Sequence, residues 1–126
     1  MTTPVTLREH QGLFSRLLAQ LILYADDLGH DVAVGEVLRS PQEAHRLAGT
    51  GAGITMSLHC DKLAADLLLF ADTDGDGQTD DYLIDTPSYA HLGAYWKSLH
   101  PLCRWGGDFT GRKDGNHFSV SYGGRA

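Results

Sequence analysis

Residues 63–71 read LAADLLLFA, and this nearly unbroken apolar run constrains the fold more than any other stretch. It is far shorter than the ~18 apolar residues needed to cross a membrane, so it reads as a largely buried strand. A Gly/Asp-rich turn follows, and residues 80–85 (DDYLID) then read as the second arm of a hairpin. Residues 31–38 (DVAVGEVL) alternate as a strand, and residues 103–107 and 117–122 read as two more, joined by the turn GRKDGN. From residue 7 to about 28 the apolar side chains Leu13, Phe14, Leu17, Leu18, Leu21, Ile22 and Tyr24 fall at helical spacing. Thr6 and Glu9 form a capping-box pair at the start of that helix, and Gly29 is its stop. Ser40 as N-cap and Pro41 at the first helical position open a second helix through Ala48. Residues 87–100 make a third, carrying Tyr89, Leu92, Tyr95 and Trp96. Helices and strands interleave, but the strand links look like hairpins. The expected fold class is therefore α+β, a small antiparallel β-sheet flanked by helices, with residues 1–126 as one domain and helix 7–28 as scaffold.

Charge and composition exclude several functions. The formal net charge is −6, and Arg104, Arg112, Lys113 and Arg125 are scattered among turns. No basic stripe suits nucleic acid. No segment suits membrane insertion. The start, MTTPVTLREH, lacks the features of a signal peptide, so the chain is expected to stay in the cytoplasm until another factor releases it. The glycines concentrate after residue 48, where GTGAGIT reads as a loop leading to Ser57. That loop lacks the Lys-Ser/Thr ending of a phosphate loop, which argues against a nucleotide. Cys60 and Cys103 are too few for a disulfide framework and read as two buried thiols, with Cys60 a soft-ligand alternative because it follows His59.

Seven histidines are present, of which His10, His30, His45, His91 and His100 read as surface or capping residues. His59 and His117 differ, since each lies in a turn-rich segment near an acidic residue, Asp66 and Asp114 respectively. A catalytic zinc takes three protein ligands and leaves one position for water, and His59, Asp66 and His117 form such a set. A carboxylate off the metal must take and return the proton. Asp114 is placed for this by its Asp-Gly turn. His59 and Asp66 are an odd number of residues apart, so on one continuous strand they would face opposite sides. The segment Cys60-Asp61-Lys62 must therefore be a turn or bulge. Spacing alone leaves a structural role open for each residue.

The turn inside the hairpin, Asp72-Thr-Asp74-Gly-Asp76-Gly77-Gln-Thr-Asp80-Asp81, follows the first nine positions of an EF-hand calcium loop. Position 12 is Leu83, so Asp81 or Asp85 would have to replace the usual Glu. Five like charges repel one another, which a cation would relieve; a solvated turn uses the same residue types. Because Asp66 shares a strand with this loop, calcium is expected to order the strand end and stimulate activity.

The motifs together carry a resemblance. Leu38-Arg39-Ser-Pro-Gln-Glu-Ala, Ser57-Leu-His59-Cys-Asp-Lys-Leu-Ala-Ala-Asp66-Leu, Leu92-Gly-Ala-Tyr-Trp96, Trp105-Gly-Gly-Asp-Phe109 and Asp114-Gly-Asn-His117-Phe118 span about two-thirds of the chain. In these segments it resembles the phage endolysin branch of the zinc peptidases that includes L-alanyl-D-glutamate endopeptidases, D-alanyl-D-alanine carboxypeptidases and D-alanyl-D-alanine dipeptidases. The resemblance implies zinc on His59, Asp66 and His117, with Asp114 as general base and then acid. It implies that Arg39 polarises the scissile carbonyl and stabilises the oxyanion, and that Ser57 contacts substrate or orients the site. Without it, Arg39 would read as an ordinary arginine before a helix. Ala44 and His45 stand where relatives cleaving D-alanyl-D-alanine often carry Gln, and Asp114 stands where they tend to carry Glu. Both departures favour the endolysin reading.

The expected function is hydrolysis of the L-alanyl-D-glutamate bond of peptidoglycan stem peptides during host lysis. The enzyme would be a monomer held in the host cytoplasm until a holin opens the membrane. The alternatives are a D-alanyl-D-alanine carboxypeptidase or dipeptidase, a non-catalytic calcium-binding module, and an interaction face built from Tyr95, Trp96, Trp105 and Phe109.

Overall fold

A computed structural model describes residues 3–49 and 57–125; the Gly-rich stretch from residue 50 lies outside them. Helix α1 is Leu7–Asp27. Its capping box forms as expected: Thr6 Oγ1 accepts from the Glu9 N–H, and Glu9 Oε1 accepts from the Thr6 N–H. Gly29, just past the helix, has a positive φ of 88°. Thr6→Ala is expected to cost about 1 kcal/mol, read as a lower denaturation midpoint with an unchanged slope.

Strand β1 is Asp31–Val34, helix α2 is Pro41–Gly49, and strands β2 and β3 are Ala64–Ala71 and Asp81–Tyr82. Helix α3 is Ala90–Leu99, followed by β4, Cys103–Trp105, and β5, His117–Val120. The strands form an antiparallel sheet in the order β1-β2-β5-β4, with β3 also paired to β2. The result is the α+β arrangement expected. The buried face of α1, through Leu13, Phe14, Leu17, Leu21 and Ala25, joins Leu67, Leu69, Phe118 and Val120 of the sheet in one core. No helix among the described residues is long and apolar enough to cross a membrane.

Four strands stop earlier than the sequence suggests: β4 ends at Trp105, not residue 107, because Gly106–Asp108 form a tight turn, and the other three stop for tertiary reasons. β1 ends at Val34, not residue 38, because pairing becomes irregular at Gly35. There Gly35 N–H donates to Asp66 O, and Asp66 N–H donates to Glu36 O. β3 has two residues, not six, because the Tyr89 hydroxyl takes a ladder position: it accepts from Leu69 N–H and donates to Leu83 O. β5 ends at Val120, not Tyr122, which bridges Arg125 instead. The third helix begins late, at Ala90, after a tight turn over Thr86–Tyr89.

The aromatic interaction face does not form. Trp96 is fully buried, edge-on to Phe14 and Phe118, and its indole N–H is shared between Arg104 O and Ser119 O. Trp105 is buried too. His10 is a second correction: it is buried against Tyr122, with Nδ1 2.7 Å from Thr6 O. His30 and His91 pair through their Nε2 atoms, and His100 Nδ1 accepts from Leu102 N–H.

Candidate metal centre

His59 sits on a single tight turn, Leu58–Asp61, whose N-cap Ser57 accepts the His59 N–H through its hydroxyl. Lys62 closes the turn with a φ of 58°, the left-handed geometry that non-glycine residues seldom adopt. This is the turn that the spacing of His59 and Asp66 requires. Regular strand resumes at Ala64, and Asp66 on β2 lies directly opposite His117 on β5. Residues directly opposite across a strand pair project to one face, so three distant side chains converge.

His59 Nε2 is 3.4 Å from Asp66 Oδ1, and His117 Nδ1 is 3.7 Å from the same oxygen. The two rings stand at 74°, and Phe109 lies against His117. Both histidines are buried. Burial alone would raise the Asp66 carboxyl, but the facing imidazoles of His117 and His59 outweigh it and hold it down to about 2. His59, Asp66 and His117 could together hold a metal ion. Asp66 Oδ1 is buried with no hydrogen-bond partner among the described residues, an arrangement that suits a cation between the three groups. A two-imidazole, one-carboxylate set is a zinc donor set in kind and number.

Asp114 adjoins this group without joining it. Its Oδ2 is 3.9 Å from His117 Nδ1, and about half of its side chain remains exposed. Partial burial, with the nearby Asp66 charge, raises its carboxyl above the ordinary range despite His117. The backbone fixes it from two sides, since Asp114 N–H donates to Gly106 O and Asp114 O accepts from His117 N–H.

The wall behind Asp114 is the Trp105-Gly106-Gly107 segment. A Cβ on Gly106 would lie 2.0 Å from Asp114 O and 2.9 Å from His117 Cβ. Trp105 donates its indole N–H to Gly115 O, and its ring is gripped by Gly93 of α3 on one part and Gly107 on another. A methyl at either glycine would come within 2.3 Å of that ring.

Arg39 is brought beside the centre through its backbone, whose N–H donates to His59 O. Its guanidinium is nearly buried and paired with Glu36 through Nε and Nη2. Ser57 is buried and occupied as the N-cap of the His59 turn, so in this structure its hydroxyl holds the backbone of that turn. Cys60 is half-buried, not buried, and stands outside the ligand group. Cys103 is the buried thiol, pushed up to about 12 by desolvation. Sequence reading missed Glu36, whose one signal was the Glu36-x-x-Arg39 spacing. It missed the packing role of Gly93, Gly106 and Gly107, although each stands in a motif quoted for the resemblance.

In the acidic loop, Asp72, Asp74 and Asp76 gather as a second group that could hold a metal ion, while Asp80 and Asp81 stand outside it. Asp81 Oδ2 accepts from Thr73 N–H, and Asp72 accepts from Gly75 and Gly77 N–H.

No protein-family model and no curated protein matches the chain. Among solved structures, it resembles the crystal structure of the Serratia marcescens L-Ala D-Glu endopeptidase ChiX, with a TM-score of 0.68 and 19% sequence identity. The match covers 86% of this chain and 77% of that one. The two share a fold.

Proposed function

We propose that the chain is a zinc peptidase that cuts the L-alanyl-D-glutamate bond of peptidoglycan stem peptides. The observation that carries this reading is the convergence of His59 Nε2, Asp66 Oδ1 and His117 Nδ1 beside a half-exposed carboxylate, Asp114. The fold shared with an L-Ala D-Glu endopeptidase supports the choice of bond. Zinc, when bound, would act as a Lewis acid and lower the pKa of water towards ~7. Asp114 would take a proton from the attacking water and return it to the leaving amine. Arg39 would stabilise the negative charge developing on the carbonyl oxygen, a task suited to a permanently charged group. The sequence motifs support a phage setting, with the enzyme held in the host cytoplasm until a holin releases it.

The test is mass spectrometry of fragments released from purified Gram-negative sacculi, with zinc-loaded and chelated protein side by side. Zinc-dependent release with new L-alanine C-termini and D-glutamate N-termini is expected. Loss of terminal D-alanine instead would assign the carboxypeptidase or dipeptidase chemistry, and no new termini would remove the peptidase reading.

Calcium stimulation belongs to the same proposal, supported by the gathering of Asp72, Asp74 and Asp76 at the far end of the strand that carries Asp66. Calcium at a hundredfold excess over its Kd should add about 2.7 kcal/mol of stability and raise both Tm and hydrolysis rate. The Asp74→Ala variant should show neither response. Identical melting and rates in calcium and in chelator would exclude calcium from the loop.

A further inference from the structure

Glu36 lies where β1 loses its regular pairing, and it touches both halves of the centre. Its backbone carbonyl accepts from the N–H of Asp66. Its carboxylate holds Arg39 through Nε and Nη2. The same oxygen, Oε1, stands 3.8 Å from His59 Nδ1. That nitrogen is buried and has no hydrogen-bond partner among the described residues.

His59 presents Nε2 towards Asp66. For Nε2 to offer its lone pair to a cation, the ring proton must sit on Nδ1. A buried N–H needs an acceptor, and metal-binding histidines usually find a carboxylate, backbone carbonyl or water there. Glu36 is the carboxylate beside Nδ1, and a third of its side chain is exposed, which leaves it room to move. A shift of about 1 Å would bring it to charge-assisted hydrogen-bond distance, ~2.8 Å.

We propose that Glu36 is a positioning residue of the metal centre. It accepts the Nδ1–H of His59, fixes the tautomer that frees Nε2 for zinc, and holds the Arg39 guanidinium with the same carboxylate. This rests on the zinc reading above. It adds a link that neither the ligand set nor the arginine reveals alone: the metal ligand and the oxyanion-stabilising charge share one anchor. If Glu36 only paired with Arg39, its loss would alter stability and the contribution of Arg39 but leave zinc affinity alone.

Zinc affinity is measured by competition with a chromophoric chelator for the parent chain, Glu36→Gln and Glu36→Ala, and the His59 ring protons are followed by NMR in the zinc-loaded protein. Removing such an outer partner is expected to weaken zinc binding ~10–100-fold in Glu36→Ala. Glu36→Gln should fall between this variant and the parent, because its amide oxygen still accepts. The His59 Nδ1–H resonance should move in both variants. Should Glu36→Ala not fold, the isosteric Gln variant carries the test by itself. Zinc affinity within about threefold of the parent in every folded variant, with an unmoved His59 resonance, overturns the proposal. A parent chain that binds no zinc removes the metal reading, and this proposal with it.

Discussion

Asp114→Ala should lower hydrolysis of sacculi by at least ~100-fold, the size of a lost general acid–base, while zinc binds as tightly as in the parent. The two outcomes separate because Asp114 lies next to the ligand group without belonging to it. Asp114→Asn, which keeps the shape of the side chain and cannot accept a proton, should lose as much. A non-catalytic binding module would tolerate both substitutions without change in any function. Chelator competition on the same preparations shows whether the centre survives, and circular dichroism shows whether the fold does. A variant that keeps more than about a tenth of parental activity would remove Asp114 from its acid–base role.

Gly106→Ala should do equal damage by a different route. Its Cβ would meet the Asp114 carbonyl oxygen at 2.0 Å, and the obstacle is backbone, which no rotamer change can clear. Either the Asp114–His117 turn moves or Trp105 leaves its seat. We expect a loss of about 3 kcal/mol or more, at the upper end of overpacking effects, together with zinc affinity reduced at least ~10-fold because His117 is displaced. Gly111→Ala is the control in the same region. Nothing lies within 4 Å of a Cβ there, and its effect should stay within about 0.5 kcal/mol. Equal stability for the two variants in urea would show that the turn does not depend on Gly106.

What the sequence made legible is what local chemistry decides. The capping box of Thr6 and Glu9 needs four consecutive residues, and it forms as read. The Ser40 cap, donated to by Glu43 N–H, is equally local. The buried strand at 63–71 announces itself by apolar content, and the seven-residue interval from His59 to Asp66 demands the turn that Lys62 completes. The features that escaped are set by partners remote in the chain. Nothing near residue 83 shows that a tyrosine hydroxyl will replace its ladder bond. Nothing near Gly93 shows that an indole will press against it. Burial of His10 likewise depends on Tyr122, at the other end of the chain. For the candidate site, the grouping of His59, Asp66 and His117 was readable because motif and chemistry point to the same three residues. Glu36 was not, because its part depends on where the chain turns after Val34.

The register that sets Asp66 opposite His117 also gives the centre a place in time. A pairing between strands so distant in sequence must close a long loop, and such contacts are slow to form compared with helices and local hairpins. Before β5 docks, the chain offers a cation only His59 and Asp66 from the trio, and a metal site does not exist ahead of the fold that builds it. A nascent or partly unfolded copy would therefore lack the complete group of His59, Asp66 and His117, which is assembled only when β5 is seated. The same coupling runs backwards: zinc captured by the finished site would add to the stability of the pairing between β2 and β5, which β4 and the buried Phe118 and Val120 already hold.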